Sequence, residues 1–273
     1  NSATCAQIIT VFDNTPPTLT CPGPLTVSCS RDVPAPNPAT VTPTSDNCGG
    51  TVTVTWVSDV ISNQTCVNRY TLTRTYRATD VCGNSATCTQ IITVNDVTAP
   101  TITCPPPVTV TCASQVPPAN FAGGSSSDNC GGTPTVTFVS DVESNVICVN
   151  RKTITRTYRA TDECGNSATC TQIITVSDLV PPTITCPGNT TVTCAVFVPP
   201  ALPFTGSASD NCGGTPTITH VGDVITNQTC RDRYTLTRTY RATDACGNSA
   251  TCAQIITVFD NVEELNTDNI LLI

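Results

Sequence analysis

The chain has 273 residues, of which 38% are apolar, and its 20 acidic side chains outnumber 12 basic ones for a net charge of −8. So few Lys and Arg, with no basic run, exclude a phosphate-gripping nucleic-acid binder. No apolar stretch reaches the ~18 residues of a membrane helix, so no membrane span is expected.

The opening segment, NSATCAQIITVFDN (residues 1–14), returns unchanged at 248–261. Elsewhere the same motif follows Cys-Gly, as at Cys82–Cys88, Cys164–Cys170 and Cys246–Cys252, so Cys5 lacks the upstream cysteine. Residues 1–14 therefore read as the terminal strand of a preceding partial repeat; their exact return favours a window on a longer array, whereas the unrelated tail fits a chain end, so both readings stay open. Cys5 is expected to be a free thiol.

Three full repeats follow, 15–96, 97–178 and 179–261, and a tail, 262–273, closes the sequence. The block RTYRATD marks them at Arg74, Arg156 and Arg238, 82 residues apart. That period is the length of a small domain and far exceeds a solenoid rung. Each repeat carries six of the 19 cysteines at kept spacing, from Cys21, Cys29, Cys48, Cys66, Cys82 and Cys88 in the first. Domains this small bury little apolar surface, and a regular even cysteine count reads as a disulfide framework formed outside the cytoplasm. One histidine and no Cys-x-x-Cys pair argue against structural zinc.

Thr, Val and Ile dominate where helix formers are scarce, which suits pleated strands. Within Tyr70–Asp80, Tyr70, Leu72, Arg74, Tyr76 and Ala78 share one face and the threonines with Arg77 the other. The next strand is expected from about Ser85 to Val94, after a turn in which Asp80 binds local backbone and Gly83 takes positive φ. Prolines punctuate the repeat joints.

The ordered motifs PPTLTCP, DNCGG and TYRATDVCGNSATC, found from Pro16 to Cys88 and matched in the later repeats, resemble the hyalin repeat (HYR) family in its cysteine-rich bacterial form. The resemblance implies an immunoglobulin- or fibronectin-III-like sandwich in an extracellular, adhesion-linked protein without an active site. The expected fold is thus all-β: tandem immunoglobulin-like β-sandwich domains, disulfide-braced.

Short-range geometry favours Cys82–Cys88, Cys164–Cys170 and Cys246–Cys252 across a hairpin loop. Cys48–Cys66, Cys130–Cys148 and Cys212–Cys230 would close the next loop. Cys21–Cys29, Cys104–Cys112 and Cys186–Cys194 follow by elimination. Six cysteines allow about fifteen connectivities, and sequence does not choose among them.

His220 takes the position held by Trp56 and Phe138 in the other repeats, which marks a site for a bulky ring and not a catalytic base. The repeated Asp residues read as turn caps, and no catalytic or cofactor-binding residue is expected. Asp13, Asp96, Asp178 and Asp260, one per joint, are weak calcium candidates, because calcium takes about six to eight oxygens. Arg74, Arg156 and Arg238 lie on core parity and need an ion pair or a stacked ring. Glycosylation sequons stand at Asn63, Asn189 and Asn227. The apolar end, Ile270, Leu271, Leu272 and Ile273, is an assembly candidate by strand donation.

The sequence-level reading is an extracellular structural or adhesive protein: a rod-like stalk or a surface-fibre subunit with no catalytic activity. It would self-associate or adjoin neighbouring repeats of a longer array, and meet a cell-surface or glycan partner. A glycan- or ligand-binding accessory array of a secreted protein is the alternative.

Overall fold

The computed structural model describes residues 1–260 apart from Pro43, so the assembly candidates Ile270–Ile273 lie outside the described residues. In the first repeat, β1 (Leu25–Val27), β2 (Thr53–Cys66), β3 (Arg69–Thr79) and β4 (Ser85–Asn95) form one sheet in the order β1-β4-β3-β2. The second repeat contributes β5 (Thr101–Thr103), β6 (Val108–Val110), β7 (Ser125–Ser127), β8 (Thr135–Cys148), β9 (Arg151–Thr161) and β10 (Ser167–Ser177). The third contributes β11 (Thr183–Thr185), β12 (Thr190–Val192), β13 (Ser207–Ser209), β14 (Thr217–Cys230), β15 (Arg233–Thr243) and β16 (Ser249–Phe259). Their sheets repeat the first, as β6-β10-β9-β8 and β12-β16-β15-β14.

A second layer faces each sheet: the pairs β5-β7 and β11-β13, and in the first repeat the single bridge Thr18–Ser45. A disulfide ties the layers in every repeat, Cys21–Cys88, Cys104–Cys170 and Cys186–Cys252. The chain is therefore an all-β, disulfide-braced tandem of sandwiches, as expected.

Alternation along β3 places Tyr70, Leu72, Arg74, Tyr76 and Ala78 inside. Antiparallel pairing sets Tyr70 opposite Val94 and Leu72 opposite Ile92, and the parallel strand β1 adds Leu25 and Val27 beside them. Four buried residues make this apolar core, which recurs around Ile174 and Val176 and around Ile256 and Val258. So small a core calls for covalent support.

Above the core, each buried arginine replaces an apolar side chain. Arg74 is 3% exposed and forms a two-pronged pair with Asp59, through Nε at 2.9 Å and Nη2 at 2.8 Å. Its Nη1 donates to the Pro34 carbonyl at 2.8 Å, which pins the Pro-rich segment onto the sheet. Arg156 with Asp141 and Pro117, and Arg238 with Asp223 and Pro199, repeat this arrangement. Where sequence parity demanded an ion pair, the long edge strands β2, β8 and β14 supply it.

Contact density divides the chain into two compact units. One comprises Asn1–Pro105, Phe121–Val139 and Thr157–Cys170; the other comprises Pro106–Asn120, Ser140–Arg156 and Thr171 onward. Every disulfide falls within one unit or the other.

None of the nine expected bridges forms, and the reasons are geometric. Cys88 shares the inward parity of Ile92 and Val94 on β4, so it meets Cys21 of the facing layer, whereas Cys82 lies in the turn outside the strand. That rules out Cys82–Cys88, Cys164–Cys170 and Cys246–Cys252. Cys48 and Cys66 flank the 14-residue strand β2, which spans about 40 Å, and the same holds for Cys130–Cys148 and Cys212–Cys230. Extended β1 holds Cys21 from Cys29, as β6 and β12 hold Cys104 from Cys112 and Cys186 from Cys194; a disulfide needs Cα atoms within about 7 Å.

Candidate functional site

The remaining bridges reach into the next repeat. Cys29 bonds Cys130 and Cys66 bonds Cys164, over 101 and 98 residues, both longer than the 82-residue period. Cys112–Cys212 and Cys148–Cys246 do the same at the following joint. Each joint is thus closed by two covalent staples, with Cα–Cα distances of 5.0 and 5.2 Å at the first.

Two loops present the cysteines that accept a staple. In the Asp-x-Cys-Gly-Asn turn, Asp162 Oδ1 accepts from the Cys164 and Asn166 amides at 2.8 Å each, and Gly165 takes φ 85°. Only a residue without Cβ adopts that φ cheaply. In the Asp-Asn-Cys-Gly-Gly turn, Asp128 Oδ2 accepts from the Cys130 amide at 2.8 Å. On the donating side, Cys29 precedes a short 3-10 turn whose Ser30 amide donates to Asn68 Oδ1 at 2.8 Å, and Cys66 ends β2.

Polar contacts surround the staples. Asn166 Nδ2 donates to the Asp96 carbonyl at 3.2 Å, and Arg69 donates to the carbonyls of Asp96 and Cys164. Asn248 and Arg151 grip the Asp178 carbonyl in the same way. Arg31 donates to the Asn129 carbonyl at the first joint.

The repeated aspartates cap turns, as read from sequence. Asp80 accepts from Cys82 and Asn84 backbone and from the Asn84 amide. Desolvation opposes its charge, but Asn84 and the N–H groups of the turn hold its carboxyl below the ordinary value. The Arg74 guanidinium likewise pulls Asp59 down against desolvation, with Trp56 assisting, and Arg238 and His220 do so for Asp223.

His220 lies 2.7 Å from Asp223 Oδ1, where Trp56 Nε1 donates to Asp59 Oδ1 at 3.0 Å. An indole performs the same task, so the histidine supports the carboxylate that holds a buried arginine. Of the calcium candidates, Asp13 groups with Asp46 and Cys48, Asp96 with Asp128 and Cys130, and Asp178 with Asp210 and Cys212. Ligand atoms in each group lie within 4.8 Å of one another, and one buried oxygen of Asp46, Asp128 and Asp210 has no hydrogen-bond partner. Cys130 and Cys212 spend their sulfurs on staples, which leaves two carboxylates per joint as cation ligands. Asp260 joins no such group among the described residues.

Asn63 and Asn227 are exposed at irregularities of β2 and β14, with φ 53° and 54°. Asn189 is exposed too, and its Oδ1 accepts from the Ile255 amide at 2.9 Å.

Five cysteines remain free: Cys5, Cys48, Cys82, Cys194 and Cys230. Cys48 and Cys82 are exposed, and desolvation followed by the Asp13 carboxylate pushes both thiols up.

Residues 17–94 and 182–258, together more than half of the chain, match the family described as HYR-like domain with 4 cysteines. Each matched segment holds six cysteines. No curated protein matches the chain. Among solved structures, the chain is similar to protocadherin gamma B2 extracellular cadherin domains 1–5 at 13% identity and a TM-score of 0.31, covering 91% of this chain and 61% of that one. It thus spans less than two thirds of that chain's length. Drosophila N-cadherin EC1–4 is similar at 12% identity and a TM-score of 0.32, covering 89% of this chain and 75% of that one. Mouse cadherin-23 EC22–24 is similar at 14% and 0.32, covering 90% and 100%. Likenesses this distant carry no argument about the joints.

Proposed function

This chain belongs to the family of HYR-like domains with 4 cysteines, and on that premise we propose that it is an extracellular structural and adhesive array without catalytic activity. In this reading, repeats 15–96, 97–178 and 179–261 form a rod-like stalk or a surface-fibre subunit. The observation that carries it is the pair of staples across each joint, Cys29–Cys130 with Cys66–Cys164 and Cys112–Cys212 with Cys148–Cys246. A binding module needs no covalent bond to its neighbour, whereas a load-bearing one gains by it. Staples and layer bridges interlock, so pulling the termini meets covalent resistance before any repeat unravels. Such bonds persist in an oxidising, extracellular setting.

Supporting features are secondary. No helix among the described residues is long and apolar enough to cross a membrane. Asn63, Asn189 and Asn227 are the acceptors for N-linked sugar on this surface. The carboxylate pairs Asp96–Asp128 and Asp178–Asp210 act as weak calcium sites, since two carboxylates fall short of a full shell.

Single-molecule stretching tests the reading. The oxidised chain should extend to roughly a third of the contour length reached after reduction. Equal extension before and after reduction, or tight glycan binding by the isolated chain on an array, would replace it with the accessory-module reading.

A further inference from the structure

Each sheet ends in a long strand with one side unpaired: β2 in the first repeat, β8 in the second and β14 in the third. Further repeats in line do not cover these edges. The middle repeat is stapled to a neighbour on both sides, and β8 is still the outermost strand of its sheet.

An unpaired edge offers its N–H and C=O groups to any further strand, and proteins commonly guard it with Lys, Pro or a bulge. β2 (TVTWVSDVISNQTC) and β14 (TITHVGDVITNQTC) hold neither Lys nor Pro. Their only carboxylates, Asp59 and Asp223, are spent on Arg74 and Arg238. Bulges do occur, between Trp56 and Ser58 and between Ser62 and Cys66, and at the matching places in β14. Between them runs an unbroken stretch, Ser58–Ser62 in one strand and Gly222–Thr226 in the other.

These edges are apolar where a surface strand is ordinarily polar. Trp56, Val57, Val60 and Ile61 are half exposed, and so are Val221, Val224 and Ile225. In the middle repeat, Glu143 stands where Ile61 and Ile225 do and pairs with Lys152, which takes the place of Tyr70 and Tyr234. Charge thus guards one edge of the three.

We propose that a second copy of this chain pairs laterally, edge to edge, through β2 and β14. The strands are self-complementary. An antiparallel register centred on Val60 sets Val60 against its own counterpart, Ser58 against Ser62 and Asp59 against Ile61, so no like charges face each other. Centred on Val224, β14 sets Gly222 against Thr226 and Asp223 against Ile225, and β2 fits β14 in the same way. On β8 that register would set Asp141 against Glu143, two carboxylates, which excludes it.

Area points to both edges acting together. Half-exposed side chains of this size put about 200–300 Å² of apolar surface on each edge. Two edges with their paired backbone approach the ~800 Å² per partner of a stable interface, and one alone does not. Asn63 and Asn227 stand exposed one residue past the two stretches, inside the second bulge. A sugar there lies across the free edge and bars the incoming strand, so modification decides which chains pair. Asn145 of the middle repeat belongs to no sequon, and its edge has Glu143 instead. The inference goes beyond the array reading and does not rest on the joint staples, because each edge belongs to one repeat.

The test is sedimentation velocity of the oxidised full chain, made without N-linked sugar and with its free thiols alkylated, over a rising concentration series. Dimers and larger species should grow with concentration. V60K/V224K should lose at least nine tenths of them at an unchanged thermal midpoint, since both valines are more than half exposed and outside the core. Chain carrying sugar on Asn63 and Asn227 should likewise stay monomeric, and E143I/K152Y, which copies Ile61 and Tyr70, should associate more strongly than the parent. Monomers at every concentration would overturn the pairing and leave the edges to a different strand or to none. Association that survives V60K/V224K, or that persists with both asparagines modified, would overturn the assignment to these edges. Neither result touches the joints, whose staples are read separately from the disulfide map.

Discussion

The inside of a repeat and the joint to its neighbour are held by different physics. Inside, burial dominates: Tyr70, Leu72, Ile92 and Val94 pack under β1, an arginine–aspartate pair fills the rest, and one disulfide ties two layers. At the joint, two disulfides work with polar grips on a single aspartate carbonyl. A repeat thus folds much as any small sandwich does, while its coupling to the next one is a redox property.

Breaking the joint should have the largest effect. With Cys104–Cys170 still in place, replacing Cys66 and Cys164 together with alanine opens a loop of about 45 residues, and chain entropy puts the loss at ~4 kcal/mol. Denaturant unfolding should move to lower denaturant while Cys29–Cys130 still joins the two repeats; an unshifted transition would speak against coupling through this staple.

The interior should fail next, at its polar half. Arg74→Met strands Asp59 beside buried surface and should cost about 3 kcal/mol, read as a lower thermal midpoint with the staples still formed. The same pair sets an acid limit. Asp59 and Asp223 have folded pKa values below their unfolded ones, so their contribution is complete above the ordinary aspartate value. It is lost as pH falls below about 4 toward the folded value. Thermal midpoints measured from pH 6 to 2 should fall in that window, and R74M/R238M should flatten the fall.

Smaller effects separate the joint's polar grip from its staples. Asn166→Ala removes the amide that holds both Asp96 and the Asp162 turn, and should cost about 1–2 kcal/mol without changing the disulfide map. Smallest of all, calcium at tenfold excess over a millimolar dissociation constant should add about 1.4 kcal/mol per site, and Asp128→Asn should remove the increment of the Asp96–Asp128 site alone. A large calcium dependence would mean that cations, and not cysteines, dominate the joint.

Much of the interior was legible because its signals are local. Alternation in RTYRATD fixed which side of β3 is buried, and the demand that Arg74 find a partner was met by Asp59. Asp80 and Gly83 announced their turn. The joint was not legible for a physical reason: in a tandem array, a cysteine and its counterpart 82 residues on have the same sequence context. Local spacing then favours Cys82–Cys88, although β-strand parity sends Cys88 inward and leaves Cys82 in the turn. One signal was available. The extended 14-residue β2 between Cys48 and Cys66 bars that pair, and Cys66 finds its partner in the next repeat.

The most direct measurement is the disulfide map of the oxidised chain by non-reducing proteolysis and mass spectrometry. The account predicts Cys29–Cys130 and Cys66–Cys164 across one joint, Cys112–Cys212 and Cys148–Cys246 across the next, and Cys21–Cys88 within a repeat. Peptides joining Cys48 to Cys66, or Cys82 to Cys88, would contradict it and return the joints to non-covalent contact.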